Sequence, residues 1–404
     1  MSFLSIVFLS FFLVASLGAY TLAQVNLSAI VDLAYKQDIL TGGDELHSDI
    51  NTANRGDSPF NLIRVKLFVD GEITEDISVF TTLLFDSGAD ARVDGAYVEF
   101  ANVFGDESFN IHAGRIPTPF GSFAPRTLSS INPLIGIPLI YHYHSTAQGD
   151  RAPQNNAEQL SWRDKPPKYA SSKTVGYQRR GMPLLYDPCW NTGIELYGFI
   201  SIFEYALGAT KGTLSHPRAE GNEGAQAVVR LGLNPIMGMR IGLSGAYGPY
   251  FEPAAKESTN FPKDKALESF YQLIYGIDFE YSYGYFQFFL EAVRNQWDVP
   301  NITEGKLGSI GGYVEGKYTI LPGLYYALRY DQIIYDGIDD GSGNKVPWDY
   351  GIKRVETGFG YDIVRNVAVK LVGQLNFKDA PANDDPTDYD PTDYMVVAQL
   401  STSF

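Results

Sequence analysis

The sequence predicts an all-β protein, a transmembrane antiparallel up-and-down β-barrel of about 16 strands with a long third extracellular loop. Three observations lead to this fold class. The composition combines only 19% charged residues with 40 glycines, 27 tyrosines and 25 phenylalanines, a mixture typical of twisted strands with aromatic belts. Apolar and polar residues alternate along many extended segments. Short connections between those segments alternate with longer, polar ones.

The N-terminal residues 1–23 are predicted to be a signal peptide, and residues 24–404 the barrel. The stretch from Phe3 to Ala23 is apolar and small, and its end, Thr21-Leu22-Ala23, suits signal peptidase. No Lys or Arg precedes the apolar run, so a retained membrane anchor is the alternative, because about 20 apolar residues can also cross a bilayer. Since no similar run follows, any membrane residence further along the chain requires a closed barrel. The predicted strands extend from the cleavage site to the last residue, so no second domain is expected.

The alternation of apolar and polar residues begins with the first strand. From Val25 to Tyr35 every second residue is apolar, and Asn26 and Asp32 lie on the other face. The same period recurs in 63–69, 226–233, 271–280, 286–295 and 367–376. A soluble β-sandwich would show the same pattern, so periodicity alone leaves that alternative open.

Connection lengths distinguish the two architectures. Links such as 201–203, 282–284 and 363–366 are short, whereas the links between them are longer and polar, as periplasmic turns and outer loops are in membrane barrels. An even number of strands places both chain ends on the periplasmic side. The predicted strands are 25–37, 60–70, 77–86, 93–103, 109–116, 192–200, 204–212, 226–234, 239–248, 269–281, 285–297, 307–319, 324–333, 350–362, 367–376 and 394–404.

The C-terminal strand adds independent support. Phe404 is the last residue, and Leu400 and Val396 lie on the same face of the predicted strand. This pattern resembles the terminal signal strand of bacterial outer-membrane proteins. The resemblance implies the barrel-assembly machinery as a partner and the Gram-negative outer membrane as the location.

Charge, cysteine count and motifs exclude several classes of function. A formal charge of -16 argues against nucleic acid as a partner, because phosphate binding needs a basic face. Cys189 is the only cysteine, which excludes an intrachain disulfide, a cysteine-based zinc site and covalently attached haem. No Gly-x-Ser-x-Gly nucleophile motif is present, so no enzymatic activity and no cofactor are expected.

The link 116–191 is much the longest and is the predicted constriction, since structureless loops of this length are usually functional or disordered. It is basic inside an acidic protein, which would favour anions if these side chains line the narrowest point. An exposed lid that touches lipopolysaccharide phosphates is the alternative. The candidate constriction residues are Arg115, Arg126, His142, His144, Arg151, Arg163, Lys165 and Lys168.

Two other groups of residues could bind metal. His142 and His144 lie two residues apart, on one face of an extended chain, which is a spacing that zinc or copper can use. Two ligands do not make a site, so interfacial or satisfied polar histidines are preferred and no metal is predicted. The acidic repeat 384–394 lacks the glycine and closing Glu of an EF-hand loop and is interpreted as a solvated outer loop.

The run Gly114-Arg115-Ile116-Pro117-Thr118-Pro119-Phe120-Gly121 resembles the strand-to-loop junction of porins of the phosphate-selective O/P type, which carry a similar Gly-basic-x-x-x-Pro-Phe-Gly run. The resemblance covers these eight residues and the general architecture. It implies a third loop that bends inward and lumenal basic residues that attract anions, with Arg115 at the matching position. The proline-rich continuation 131–138 and the acidic remainder differ from that family.

These observations together predict an outer-membrane porin for passive diffusion of small hydrophilic solutes, with a preference for anions. Sixteen strands leave an aqueous lumen that a loop must narrow. A barrel that serves as a scaffold for a partner such as an electron-conduit cytochrome, or as a surface receptor or adhesin, is the alternative. The expected partners are outer-membrane lipid, lipopolysaccharide and small solutes, and a homotrimer is expected by analogy.

Overall fold

A computed structural model describes residues 24–39, 59–86, 91–163, 181–186, 189–217, 224–379 and 392–404. Sixteen strands close into one antiparallel barrel, and a small two-stranded hairpin lies beside it. The strands are β1 (Gln24–Ile39), β2 (Ile63–Thr74), β3 (Ile77–Asp86), β4 (Arg92–Phe100), β5 (Asn110–Pro117), β6 (Trp190–Ile200), β7 (Phe203–Lys211), β8 (Ala225–Leu233), β9 (Met239–Pro249), β10 (Tyr271–Tyr283), β11 (Phe286–Asp298), β12 (Lys306–Leu321), β13 (Leu324–Tyr335), β14 (Gly337–Asp339), β15 (Lys345–Pro347), β16 (Ile352–Val364), β17 (Val367–Lys378) and β18 (Thr392–Ser403).

Each barrel strand pairs with its neighbour in sequence, and β1 closes the sheet by pairing with β18. The pair β13 and β16 is adjacent because the hairpin of β14 and β15 belongs to the link between them. The predicted fold class is confirmed, since every predicted strand overlaps one of the 16 barrel strands. The hairpin was not predicted, because three-residue strands are too short to show a period.

The alternation of side chains separates an apolar outside from a polar inside. Along β8, Gln226 and Arg230 are buried inside the barrel, whereas Leu231 on the other face is 54% exposed. Leu243, its partner in register on β9, is 56% exposed. A soluble sandwich would bury these leucines and expose the polar residues, so the sandwich alternative is wrong.

The connections give the barrel two different ends. At the turn end, strands are joined by links as short as Ser201–Ile202 and Arg365–Asn366. At the loop end lies the longest link, residues 118–189. Both ends of the described chain lie at the turn end, where Gln24 is opposite Glu72 and the backbone N–H of Phe404 donates to the carbonyl of Ala29 at 3.1 Å.

The helices are short and lie in the links at the loop end. They comprise the 3₁₀ turns Ala124–Thr127, Pro253–Glu257 and Leu267–Ser269 and the α-helical turns Leu139–His142 and Asn156–Ser161. Within the described ranges, none of these helices has the length and apolarity that a membrane crossing needs. The predicted signal peptide, residues 1–23, lies outside the described residues.

Candidate functional site

The first part of the longest link, residues 118–144, lies inside the barrel and is called the inner segment below. The backbone N–H of Gly121 donates to Ser244 Oγ on β9 at 3.1 Å. The hydroxyl of Tyr141 donates to Glu291 Oε1 on β11 at 2.6 Å. Burial raises the pKa of Tyr141 well above its ordinary value, and the Glu291 carboxylate raises it further. The inner segment is therefore fixed against the inner wall.

Side chains of the wall bind the backbone of the inner segment. The ammonium of Lys370 on β17 donates to the carbonyls of Ser129 and Asn132 at 2.6 Å and to that of Leu134 at 3.2 Å. Glu356 on β16 accepts from the N–H of Gly136 at 2.7 Å. An irregular backbone inside a barrel needs such partners, because an unpaired buried N–H or C=O group is costly.

A buried network of charges supports these contacts. The guanidinium of Arg329 on β13 lies 3.1 Å from Glu315 and 3.2 Å from Asp331, and it also pairs with Glu356. Arg126 of the inner segment joins the network through Glu315. All five side chains are buried, so each charge is compensated by a partner of opposite sign rather than by water.

Apolar residues of the inner segment pack on an apolar part of the wall. Phe123, Leu139 and Ile140 are fully buried in one cluster with Val293 on β11 and Ile333 on β13. A methyl group on Gly311 of β12 would lie 2.7 Å from Ile140 Cγ2, so this glycine allows the close approach. Part of the loop-side lumen is therefore a dry core.

In the loop-side half, other parts of the chain cover inner side chains of every barrel strand. Each barrel strand carries at least one buried inner side chain at this level. These residues are Asp32, Arg64, Leu84, Asp94, Ile116, Asn191, Thr210, Gln226, Ala246, Gln272, Asn295, Ser309, Ile333, Ile352, Asn376 and Met395. Chain that lies inside the barrel therefore covers part of the wall in this half.

One edge of the inner segment faces the open lumen. This ledge, residues 124–131, is anchored at one end by Arg126 on Glu315 and at the other by Ser129, whose hydroxyl donates to Asp32 at 2.6 Å. Just outside the two anchors, Ile131 is 51% exposed and Pro125 is also exposed. Ala124, Thr127 and Leu128 are half-buried and Ser130 is exposed. The exposed edge of the ledge is uncharged and mostly apolar.

Two predicted constriction residues are not free charges in the lumen. Arg126 lies inside the barrel, but it is buried and paired with Glu315. Arg115 lies opposite Thr192 in the register of β5 and β6, on the same face as Ile194, which is 59% exposed on the outside of the barrel. The expected lumenal position of Arg115 is therefore corrected, because the alternation of the strand turns this residue outward.

The other predicted residues occupy different places. Arg151 lies 3.3 Å from the neighbouring carboxylate of Asp150. Arg163 lies over the ring of Tyr350, 5.4 Å from its centre. Lys165 and Lys168 lie outside the described residues.

The two histidines of the inner segment differ in burial. His142 is buried, and His144 is half-buried with its Nδ1 atom 2.5 Å from the carbonyl of Gly181. In the part of the chain that the structure describes, no three His, Cys, Asp or Glu residues are arranged to hold a metal ion.

A row of charged residues that the sequence analysis missed crosses the turn-side wall. Glu99, His112 and Glu195 lie opposite one another in the register of β4, β5 and β6. His112 Nε2 lies 3.1 Å from Glu99 and Nδ1 lies 3.0 Å from Glu195. The rings of Tyr97 and Tyr197 lie 4.8 and 4.4 Å from the His112 ring. In the sequence, the only sign of this row is that Glu99, His112 and Glu195 fall at inward positions of β4, β5 and β6. The register between the strands is needed to show that the three residues are neighbours.

Comparisons with known proteins show a shared fold and no similarity of sequence that would identify a family. No family model and no curated protein matches the sequence. The chain is similar to an anion-selective porin from Comamonas acidovorans, with 10% identity, a TM-score of 0.56 and coverage of 95% of this chain and 100% of that one. It is similar to the outer membrane channel DcaP of Acinetobacter baumannii, with 12% identity, a TM-score of 0.54 and coverage of 95% and 97%. It is also similar to OmpT of Vibrio cholerae in its trimer form, with 9% identity, a TM-score of 0.54 and coverage of 95% and 100%.

Proposed function

We propose that the protein is an outer-membrane porin of a Gram-negative bacterium, through which small hydrophilic solutes diffuse passively. The observation that carries the proposal is a closed barrel of 16 strands with an apolar outside, a polar inside and a segment of its own chain that narrows the lumen. The fold shared with an anion-selective porin and with DcaP, an outer membrane channel, supports it. Diffusion through such a lumen needs neither a cofactor nor a reaction.

The anion preference expected from the sequence is proposed to reside in Lys165 and Lys168, together with Arg163, which lies over the ring of Tyr350. Arg126 and Arg151 are paired with carboxylates, and Arg115 faces outward, so these residues do not offer a net positive charge to the lumen. Anion selectivity requires positive side chains that border the path of the ion. Replacing Lys165 and Lys168 together with alanine should therefore reduce the preference for chloride, whereas replacing Asp150 and Arg151 together with alanine removes an ion pair without changing the net charge and should leave it unchanged.

The test is single-channel conductance of the purified, refolded protein in planar bilayers under a potassium chloride gradient. The reversal potential reports the ratio of chloride to potassium permeability directly. An open channel supports the porin, and a shift toward potassium in the Lys165→Ala/Lys168→Ala variant supports the assigned lysines. A folded barrel that conducts no ions would contradict the porin and favour a scaffold or receptor.

The outside of the barrel supports a homo-oligomer, which we propose to be a trimer. Tyrosines at the ends of membrane strands mark the water–lipid boundary. Tyr275 on β10, Tyr318 on β12 and Tyr361 on β16 are exposed on the outside, whereas the outward positions described for β2 to β6 hold no tyrosine; most are aliphatic, and Phe85, Phe100 and Arg115 are among the others. A face without this belt suits contact with another copy better than contact with lipid headgroups. The trimer form of the similar OmpT structure agrees with this proposal.

A further inference from the structure

We propose that the turn-side wall of the lumen, formed by the inner side chains of β2, β3 and β4, binds organic cations that carry an aromatic ring. The inference rests on the proposed pore and adds a class of solute to it. Its central residues are Asp70, Phe80 and Tyr97, which lie opposite one another in register on the three strands.

The first argument is the presence of aromatic rings on a wall that faces water. Phe80 and Tyr97 stack with their ring centres 5.1 Å apart and their planes 22° from parallel. Both are half-buried, as is Phe68 on β2, so each ring keeps part of its surface accessible. A porin that passes only small hydrophilic solutes gains nothing from apolar rings inside its lumen, whereas a planar ring can stack on them.

The second argument is space beside the rings. In the row that contains Tyr97, the next two strands contribute Gly114 and Gly193. Neither glycine has a side chain that could fill the lumen next to Tyr97. A Cβ atom on Gly114 would lie 2.4 Å from the carbonyl oxygen of Ala96 and 2.8 Å from Tyr97 Cα, and its φ of +134° also favours glycine. The backbone therefore keeps the positions of Gly114 and Gly193 free of side chains, and the ring of Trp190, 6.4 Å from that of Tyr97, adds another aromatic surface.

The third argument is the sign of the charge. Asp70 lies beside Phe80, and Glu72, Glu99 and Glu195 lie in the adjacent row, with His112 between the last two. Among the described inner residues of this wall, no Lys or Arg is present in the turn-side half of β2 to β6. The carboxylates attract a positive charge directly. The neighbouring ring faces attract it through the cation–π interaction.

The fourth argument is the ledge, which borders the same lumen. Leu128 is half-buried and Ile131 is exposed, so the ledge offers an uncharged apolar surface. An aromatic body can contact this surface without the desolvation cost that a charged constriction would impose. The combination of ring faces, carboxylates and an apolar ledge fits an aromatic cation better than an inorganic ion or an anion.

The test measures block of the single-channel current by benzyltrimethylammonium added on the turn side. Two matched probes separate the contributions: tetramethylammonium carries the charge without the ring, and benzenesulfonate carries the ring with the opposite charge. Benzyltrimethylammonium should block at a concentration about tenfold lower than either, because it alone combines the ring that stacks with the positive charge that the carboxylates and ring faces attract. Equal block by tetramethylammonium would overturn the inference.

Variants locate the site. Tyr97→Leu and Asp70→Asn should each raise the blocking concentration of benzyltrimethylammonium several-fold. Asp70→Asn keeps the shape of the side chain, so it tests the site even where Tyr97→Leu fails to fold. The matched control is Tyr318→Leu, since Tyr318 is 52% exposed on the outside of β12 and should not affect block. Normal potassium chloride conductance without selective block would refute the binding site alone, whereas a barrel without conductance would refute the pore.

Discussion

At the scale of single residues, the inner segment depends on side chains that satisfy its irregular backbone. Lys370 binds three carbonyls, and each would otherwise be a buried acceptor without a strand partner. At this contact the wall binds the backbone of the segment, whereas Arg126, Ser129 and Tyr141 bind the wall through their side chains. Substitutions in the wall should therefore act on the segment even where its own sequence is unchanged.

Replacing Lys370 with methionine should destabilise the folded protein by about 3 kcal/mol, because three buried carbonyls lose a charged donor. The free energy of unfolding of the refolded barrel in urea measures this loss. Lys306→Met is the matched control, since Lys306 is exposed and its ion pair with Asp298 at 3.6 Å lies at the surface, where such pairs contribute little. Equal stability of the Lys370→Met and wild-type proteins would contradict the anchoring role.

Individual contacts of this kind were beyond prediction from the sequence. Arg126 was identified as a basic residue inside the longest link, but its partner, Glu315, lies 189 residues away in the chain. Nothing local indicates that the charge is neutralised. Arg115 was assigned to the lumen by resemblance, whereas the alternation of β5 turns it outward. Strand register determines which partner a charged side chain meets and whether it points into the lumen. The register itself follows from strand pairing across the whole barrel.

At the scale of elements, the barrel strands and the inner segment differ in how far the sequence predicts them. The strands are long and alternate with a period of two, so all were located. The inner segment has no period, because it packs through backbone hydrogen bonds and an irregular apolar surface. The length and basic composition of the link predicted a constriction, but they did not predict that the ledge faces the lumen with uncharged residues.

The ledge should control ion selectivity when a charge is placed on it. Ile131→Glu should shift the reversal potential toward potassium and Ile131→Arg toward chloride, because a charge at a constriction changes the local concentration of counter-ions. The measurement is the reversal potential under a potassium chloride gradient. Ile236→Glu is the control, since Ile236 is also exposed but lies in the link between β8 and β9 at the turn end. If both Ile131 variants behave like wild type, the ledge does not border the ion path.

At the scale of the whole molecule, the outside of the barrel is not uniform. Exposed tyrosines lie on the outside of β10, β12 and β16, whereas the outward positions described for β2 to β6 hold no tyrosine. Composition predicted aromatic belts without indicating that they are interrupted, because the interruption appears only when inward and outward tyrosines are separated. Tyr97 and Tyr197 belong to this part of the chain but point inward with His112.

A cross-link tests the predicted oligomer. In a Cys189→Ser background, a photoreactive benzophenone probe attached to a cysteine at Thr81, on the outward face of β3, should cross-link neighbouring subunits in membranes, because such a probe reacts with whichever residue of the neighbour lies against it. The same probe at Ile277 on β10 should not, since this position lies on the face with the tyrosine belt. Denaturing electrophoresis distinguishes the two variants. Cross-linking through residue 277 in preference to residue 81 would place the interface elsewhere.

The anchoring of Ser129 has a consequence for the order of assembly. Its hydroxyl contacts Ser401, a residue 272 positions later on the last strand, and β18 is also the strand that closes the barrel against β1. The wall partners of the ledge on β12 and β18 lie far from it in the chain, so these contacts exist only when both strands are in place. The last strand therefore serves two contacts at once, and a chain without β18 loses the Ser401 contact of the ledge together with the seam.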